Sequence, residues 1–389
     1  KLISIMYDSF ISLVREWYGT EDFIPLHEPR FQGNEKAYVS EAIDSTFVSS
    51  VSNYVSRFEA QLAEYTGARH VIALSNGTAA LHLALHSIGV GQGDEVITQP
   101  LTFVATCNAI KYCGAESVFV DVTKDTLGLC PDSLANFLEL NADRSGSGPV
   151  NKKTGRKIKA CLPMHTMGLP AHMSGILSIC GEWGIPVIED AAEALGSSRD
   201  GRSCGTFGLL GTLSFNGNKI ITTGGGGAIV TDDNELAEKI RHLATTAKLQ
   251  HEWMFEHDQV GYNYRMPGLN AAMGVAQIEQ LPGFLVSKNE LAEVYRLWGL
   301  REDVELVSDP VDCRPNNWLN TILLENERER DRFLEYTNAQ GVMTRPAWAL
   351  MNDLEPYKNS YVHADTNARN LQKRLVNLPS SAKVVEIGK

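Results

Sequence analysis

From about Arg57 to Asp232 the chain alternates short apolar runs with stretches whose apolar residues recur at helical spacing. No other feature constrains the fold as much. The strand candidates are His70 to Leu74, Glu95 to Thr98, Glu116 to Val120, Lys159 to Met164, Pro186 to Ile188, Gly211 to Phe215 and Gly227 to Val230. Helical stretches such as Thr78 to Ser87 and Thr102 to Cys113 separate several of them. Strands interleaved with helices build a mostly parallel sheet covered by helices, because a parallel neighbour needs a long crossover. An α/β fold is therefore expected, with ligands gathered at the C-terminal ends of the strands.

The flanks and one internal stretch add further pieces. Ile5, Phe10, Leu13, Val14 and Trp17 recur near helical spacing, which predicts an accessory helix packed on the main body or on a partner subunit. Asp143 to Gly155, rich in Asn, Ser, Gly and Lys, reads as a surface loop. Residues 233–247 and 267–300 read as long helices. Beyond Arg301, a strand from Asn317 to Leu323 and a charged helix from Glu325 to Gln340 predict a small α/β domain. The expected division is 1–22 for the accessory helix, 23–265 for the large domain, and 266–389 for the connecting helices and small domain.

Charge and composition exclude some classes. A net charge of −12 with no basic stripe argues against nucleic acid as a partner. No apolar run reaches bilayer length, so no membrane partner is expected. Seven cysteines without C-x-x-C spacing suit reduced thiols in a cytoplasmic protein, and no metal site is expected.

Within this frame, certain residues carry chemistry. Ser75-Asn76-Gly77-Thr78 follows a strand and opens a helix, so backbone N–H groups and the positive end of the helix dipole suit a phosphate. The same residues also read as an ordinary N-cap turn. Phe103 sits near a strand end, where its ring either stacks on a flat heteroaromatic group or joins the core. His165 follows a strand and either lines the same pocket or is a structural histidine. Asp190 closes its strand as a carboxylate for a ring nitrogen or as a helix N-cap, and Glu193 reaches a phenolic oxygen or is a surface acid. Finally, Ser214-Phe215-Asn216-Gly217-Asn218-Lys219 delivers a hydroxyl and then a lysine able to form an imine. An imine-forming lysine and a carboxylate for a pyridine nitrogen are the protein groups that pyridoxal phosphate needs most.

With these pieces assembled, the sequence resembles the DegT/DnrJ/EryC1/StrS family of pyridoxal-phosphate-dependent sugar aminotransferases from about Ile24 to near the C-terminus. The resemblance rests on five ordered blocks: Asn76 to Leu81, Pro100 to Thr106, Glu189 to Ala192, Ser214 to Lys219, and Gly261-Tyr262-Asn263-Tyr264-Arg265-Met266. It implies a fold type I aminotransferase and a homodimer with active sites at the subunit interface. Lys219 would then join the cofactor, Asp190 would bind the pyridine nitrogen, Glu193 would approach the phenolic oxygen, and Phe103 would stack on the ring. Gly77, Thr78 and Ser214 would hold the phosphate, reached also by Asn263 from the partner subunit with Arg265 close by.

The Phe215 to Lys219 variant, Phe23 to Pro29 and Thr344-Arg345-Pro346-Ala347-Trp348 are similar to the subgroup acting at C4 of nucleotide-linked 4-keto-6-deoxy sugars. That resemblance implies L-glutamate as donor, pyridoxamine phosphate as the alternate cofactor form, and a UDP-linked 4-keto-6-deoxy-N-acetylhexosamine as acceptor. His165, Asn216, Arg345 and Trp348 are the candidate substrate residues. The alternatives are a C3-specific or GDP-linked keto-sugar aminotransferase, and a non-catalytic pyridoxal-phosphate-binding regulator on the same fold. A related dehydratase would carry histidine in place of Lys219.

Overall fold

The computed structural model describes residues 2–146, 148–307 and 311–383, with backbone alone for residues 2–5 and 145. All seven expected strands form, with ends displaced by up to three residues. Gly227–Thr231 runs antiparallel between His70–Leu74 and Leu210–Ser214. Leu210–Ser214 is parallel to Ile188–Asp190. Parallel bridges Cys161–Val187 and Met164–Asp190 carry the pairing across to Ile158–Cys161. Glu95–Thr98 and Glu116–Phe119 continue it in parallel, and Tyr361–Val362 adds to the far edge. The sheet is thus mostly parallel, with one reversed strand.

Every residue of Glu95–Thr98 and of Gly227–Thr231 is buried. Helices on both faces explain why these strands read as apolar runs instead of alternating. Glu35–Asp44 and Asn53–Thr66 lie against the 35-residue helix Gly268–Glu302, where Val55, Phe58 and Leu62 meet Ala271, Val275 and Ile278. A smaller antiparallel sheet orders Glu305–Leu306, Asn320–Leu323, Leu375–Leu378 and Arg345–Pro346.

The accessory helix, Leu2–Tyr18, packs on this chain's own body. Phe10 is fully buried, with its ring 5.2 Å from Trp298 and 5.1 Å from Phe333. Tyr7 and Val14 join the same cluster, each contributing about 1.5–3 kcal/mol of apolar burial at most. Leu13 and Trp17 are half-buried on that face, and the Ile5 side chain lies outside the described ones.

Two expectations fail locally. The 143–155 stretch is not a loop throughout: Ala142–Ser145 and Gly148–Asn151 pair as a hairpin. Asn151, fully buried, donates to Glu95 Oε2 at 2.9 Å and so ties this polar run to the main sheet. The strand expected from Asn317 begins only at Asn320, because Asn317 sits in the left-handed region at φ 51°. At the opposite edge, Tyr361–Val362 is followed by the helix Thr366–Gln372. Asp121 holds that helix to the sheet by accepting the N–H groups of Asn367 and Ala368 at 2.8 and 2.9 Å. Among the described residues, no helix is long and apolar enough to cross a membrane.

Candidate active site

The ends of the strands enclose a cavity of about 300 Å³. Nine residues singled out from the sequence line it: Gly77, Thr78, Phe103, Asp190, Glu193, Ser214, Asn216, Lys219 and Trp348. Asn76 caps the helix Gly77–Ser87, its side chain accepting from the Ala79 N–H at 2.8 Å. The first N–H groups of a helix have no intrahelical acceptor, so those of Gly77 and Thr78 are left for a ligand in the cavity. Capping therefore leaves two N–H groups open to an anion. A Cβ on Gly77 would lie 2.9 Å from Ser214 Cβ and 3.1 Å from its Oγ, so only glycine lets the helix start against that hydroxyl.

Asp190 is 2% exposed and ends its strand. Its carboxylate accepts from the Thr106 hydroxyl at 2.7 Å and from the Ala192 N–H at 3.2 Å. No helix begins after it, which removes the N-cap reading. Burial pushes its carboxyl above the ordinary range, while the Thr106 hydroxyl, the Ala192 N–H and the Lys219 charge pull it back. A buried acid in that state gains from a cation placed against it.

Glu193, expected as either a cofactor ligand or a surface acid, is 3% exposed and lines the cavity. It accepts the Met167 N–H at 2.9 Å and pairs with Lys219 Nζ at 3.2 Å. Burial raises its carboxyl from 4.5 to about 7, against the opposing charge of Lys219. The native protein thus keeps a proton that the unfolded chain has already lost. In the cofactor-free protein this group makes stability fall as pH rises from about 4.5 to about 7. Thermal melts of Glu193→Gln should show a shallower fall across that window; an unchanged slope would exclude Glu193 as its source.

Other candidates lie elsewhere. His165 is fully buried and is not on the cavity wall. The Ala171 N–H donates to its Nδ1 at 3.0 Å, so Nε2 carries the hydrogen and donates to Glu189 at 2.8 Å. The structural reading replaces the substrate one. Arg265 pairs with Glu59 at 3.3 Å and Asn263 is exposed beside Thr245; neither lines this chain's cavity. Arg345 lines a neighbouring cavity of about 500 Å³ that shares Asn218, Trp318 and Trp348 with the first.

Sequence reasoning missed three residues. Thr106 bonds Asp190 and meets the Thr102 hydroxyl at 2.7 Å, an i, i+4 pair that the sequence contains. Trp318 places its ring centroid 4.2 Å from Lys219 Nζ and donates its indole N–H to the Asn218 carbonyl at 2.7 Å. His27 lines the larger cavity, and neither ring nitrogen has a partner among the described residues. Burial, then the charges of Lys288, Lys219 and Arg30, hold that imidazole neutral.

The residues present fit pyridoxal phosphate: helix N–H groups and a hydroxyl for a phosphate, a buried acid for a ring nitrogen, and a lysine for an aldehyde. Comparison with known proteins agrees. The chain is 36% identical to the GDP-perosamine synthase of Escherichia coli O157:H7 over 358 residues, covering 92% of this chain and 93% of that one. It is also 36% identical over 368 residues to EpsN of Bacillus subtilis, assigned as a pyridoxal phosphate-dependent aminotransferase, covering 93% and 92%. The crystal structure of the aminotransferase TlmJ from Streptoalloteichus hindustanus superposes with a TM-score of 0.83 at 30% identity, covering 92% and 93%. The model of one family matches residues 29–386, and the chain accordingly belongs to the DegT/DnrJ/EryC1/StrS aminotransferase family, whose pyridoxal phosphate cofactor suits the charges of this cavity.

Proposed function

We propose that this aminotransferase moves an amino group from L-glutamate to C4 of a UDP-linked 4-keto-6-deoxy-N-acetylhexosamine, in the cytoplasmic synthesis of a cell-surface amino sugar. The observation that carries the reading is a lysine amine and a separately held, buried carboxylate on the walls of one cavity, beside a second cavity with room for an acceptor. When bound, pyridoxal phosphate supplies an electron sink for the carbon that bears the amino group.

The chain's own residues do the rest. Gly77, Thr78 and Ser214 hold the phosphate, Asp190 keeps the pyridine nitrogen protonated, and Phe103 covers the ring. Glu193 stands at the phenolic oxygen. Lys219 takes and returns the proton that moves between donor and cofactor carbons. Asn216, Arg345 and Trp348 border the acceptor. Asn263 and Arg265 serve the other subunit of a homodimer. Residues 1–22, 23–265 and 266–389 are proposed as accessory helix, large domain and connecting-plus-small domain, a division that limited proteolysis tests.

The donor and the keto carbon of the acceptor take turns at the cofactor in the first cavity, so parallel initial-velocity lines are expected and intersecting lines would refute the scheme. A GDP-linked acceptor is the second reading, favoured by the name of the Escherichia coli relative. Incubation with UDP- and GDP-linked 4-keto sugars plus glutamate, read by mass spectrometry, decides between them. Amination of none of the sugars, with no spectral response to any amino acid, would instead favour a regulator.

Thr106→Val removes a hydrogen bond to a buried carboxylate without changing side-chain shape much. Cofactor affinity should weaken about tenfold to a hundredfold, measured by absorbance titration of the cofactor-free protein. An unchanged affinity would show that Asp190 needs no help from this hydroxyl.

A further inference from the structure

The amine of Lys219 has two partners: the Glu193 carboxylate and the face of Trp318. The first is an ion pair within the cavity. The second comes from a distant part of the chain and is itself held with unusual thoroughness. Trp318 is 4% exposed. Its indole N–H donates to the carbonyl of Asn218, the residue just before Lys219 in sequence, at 2.7 Å. Its backbone N–H donates to Asn316 Oδ1 at 2.9 Å. Asn316 in turn donates to the carbonyls of Glu193 and Leu195 at 2.8 and 2.9 Å. One short segment therefore fixes the backbone of Glu193 and the ring that faces Lys219.

The same segment is pinned from below. Lys288, 1% exposed on the long helix, donates to the carbonyls of Asn317 and Trp318 at 3.2 and 3.3 Å, and also to that of Ser380. Between these anchors Asn317 adopts φ 51°, the left-handed conformation that asparagine takes more readily than most L-residues. A wall that merely separates two cavities does not need the bond to the Asn218 carbonyl.

We propose that Trp318 is a positioning residue that parks the free amine of Lys219 beside Glu193 during the part of the cycle in which that lysine is not joined to the cofactor. The proposal rests on the reading of Lys219 as the reacting amine. A lysine released at the end of a flexible four-carbon stem would otherwise sweep through the cavity. A shielded indole face holds a cation more firmly than an exposed one and offers no acceptor that could take its proton. The amine thus stays within reach of the carbons between which it must carry a proton.

The test compares Trp318→Phe, which keeps an aromatic face, with Trp318→Met, which fills space without one. In the full-length enzyme in its pyridoxamine phosphate form, brief reductive methylation followed by peptide mass spectrometry reports how freely Lys219 reacts. Lys219 should be tagged about tenfold faster in the Met variant than in the unsubstituted enzyme, with Phe restoring most of the protection. With α-deuterated glutamate, the Met variant should also show a slower donor half-reaction and a larger isotope effect, because proton transfer becomes limiting. Equal tagging of all three proteins, or a Phe variant no better than Met, would reduce Trp318 to a cavity wall. Borohydride reduction of the loaded enzyme separates the two claims. A tag on another lysine would overturn the role of Lys219, while the methylation comparison would still judge the contact with Trp318.

Discussion

Lys219→Ala should fold, bind pyridoxal phosphate, and turn over about 10³-fold more slowly or worse. Among the described residues, no other lysine lines the cavity. Lys288, beneath Trp318, has its amine committed to three backbone carbonyls and cannot substitute. The residues proposed to hold the phosphate, and Asp190, are untouched by the change, so binding should survive while proton transfer does not. Steady-state turnover with glutamate and the keto sugar gives the magnitude. Partial rescue by added small alkylamines would show that the loss is of an amine and not of shape. Near-normal turnover would reassign the reacting group.

Asp190→Asn should slow turnover about 10²- to 10³-fold, the usual consequence of breaking one partner out of a buried charge pair. The amide keeps the shape and still accepts from Thr106, but it cannot sustain a protonated ring nitrogen. A second effect has the opposite sign. The carboxyl of Asp190 is held above its ordinary range by burial, so its charge is a burden on the cofactor-free fold. Removing that charge should raise the melting temperature of the cofactor-free protein while activity falls. If both readings fall together, the substitution has damaged the site instead of discharging it.

Where the chain states its own chemistry in consecutive residues, the sequence was sufficient. The strands that end at Asp190 and Ser214 are short apolar runs, and alternation of such runs with helices is enough to call a parallel sheet. Gly77 and Thr78 follow the strand that ends at Leu74, and Lys219 follows the one that ends at Ser214, so locating the strands located them. His165 shows the limit. Its neighbours in sequence place it at a strand end, but whether it faces a ligand depends on Glu189 and Ala171, which claim both ring nitrogens. Trp318 shows a harder limit: its contact with Lys219 joins residues 318 − 219 = 99 positions apart, and no local pattern encodes it. The hairpin at 142–151 was hidden for a different reason. Its polar composition says loop, and one buried amide on Glu95 overrides it.

The edge strand Tyr361–Val362 has a consequence for biosynthesis. Its partner, Glu116–Phe119, leaves the ribosome 362 − 119 = 243 residues earlier. At ordinary elongation rates that is a delay of roughly 12 to 50 seconds. Throughout it, the nascent sheet carries one bare row of amides and carbonyls, a template for pairing with other chains. Yield from the cell is therefore expected to depend on chaperone supply and on translation speed between the codons for residues 119 and 362 more than on anything near the cofactor.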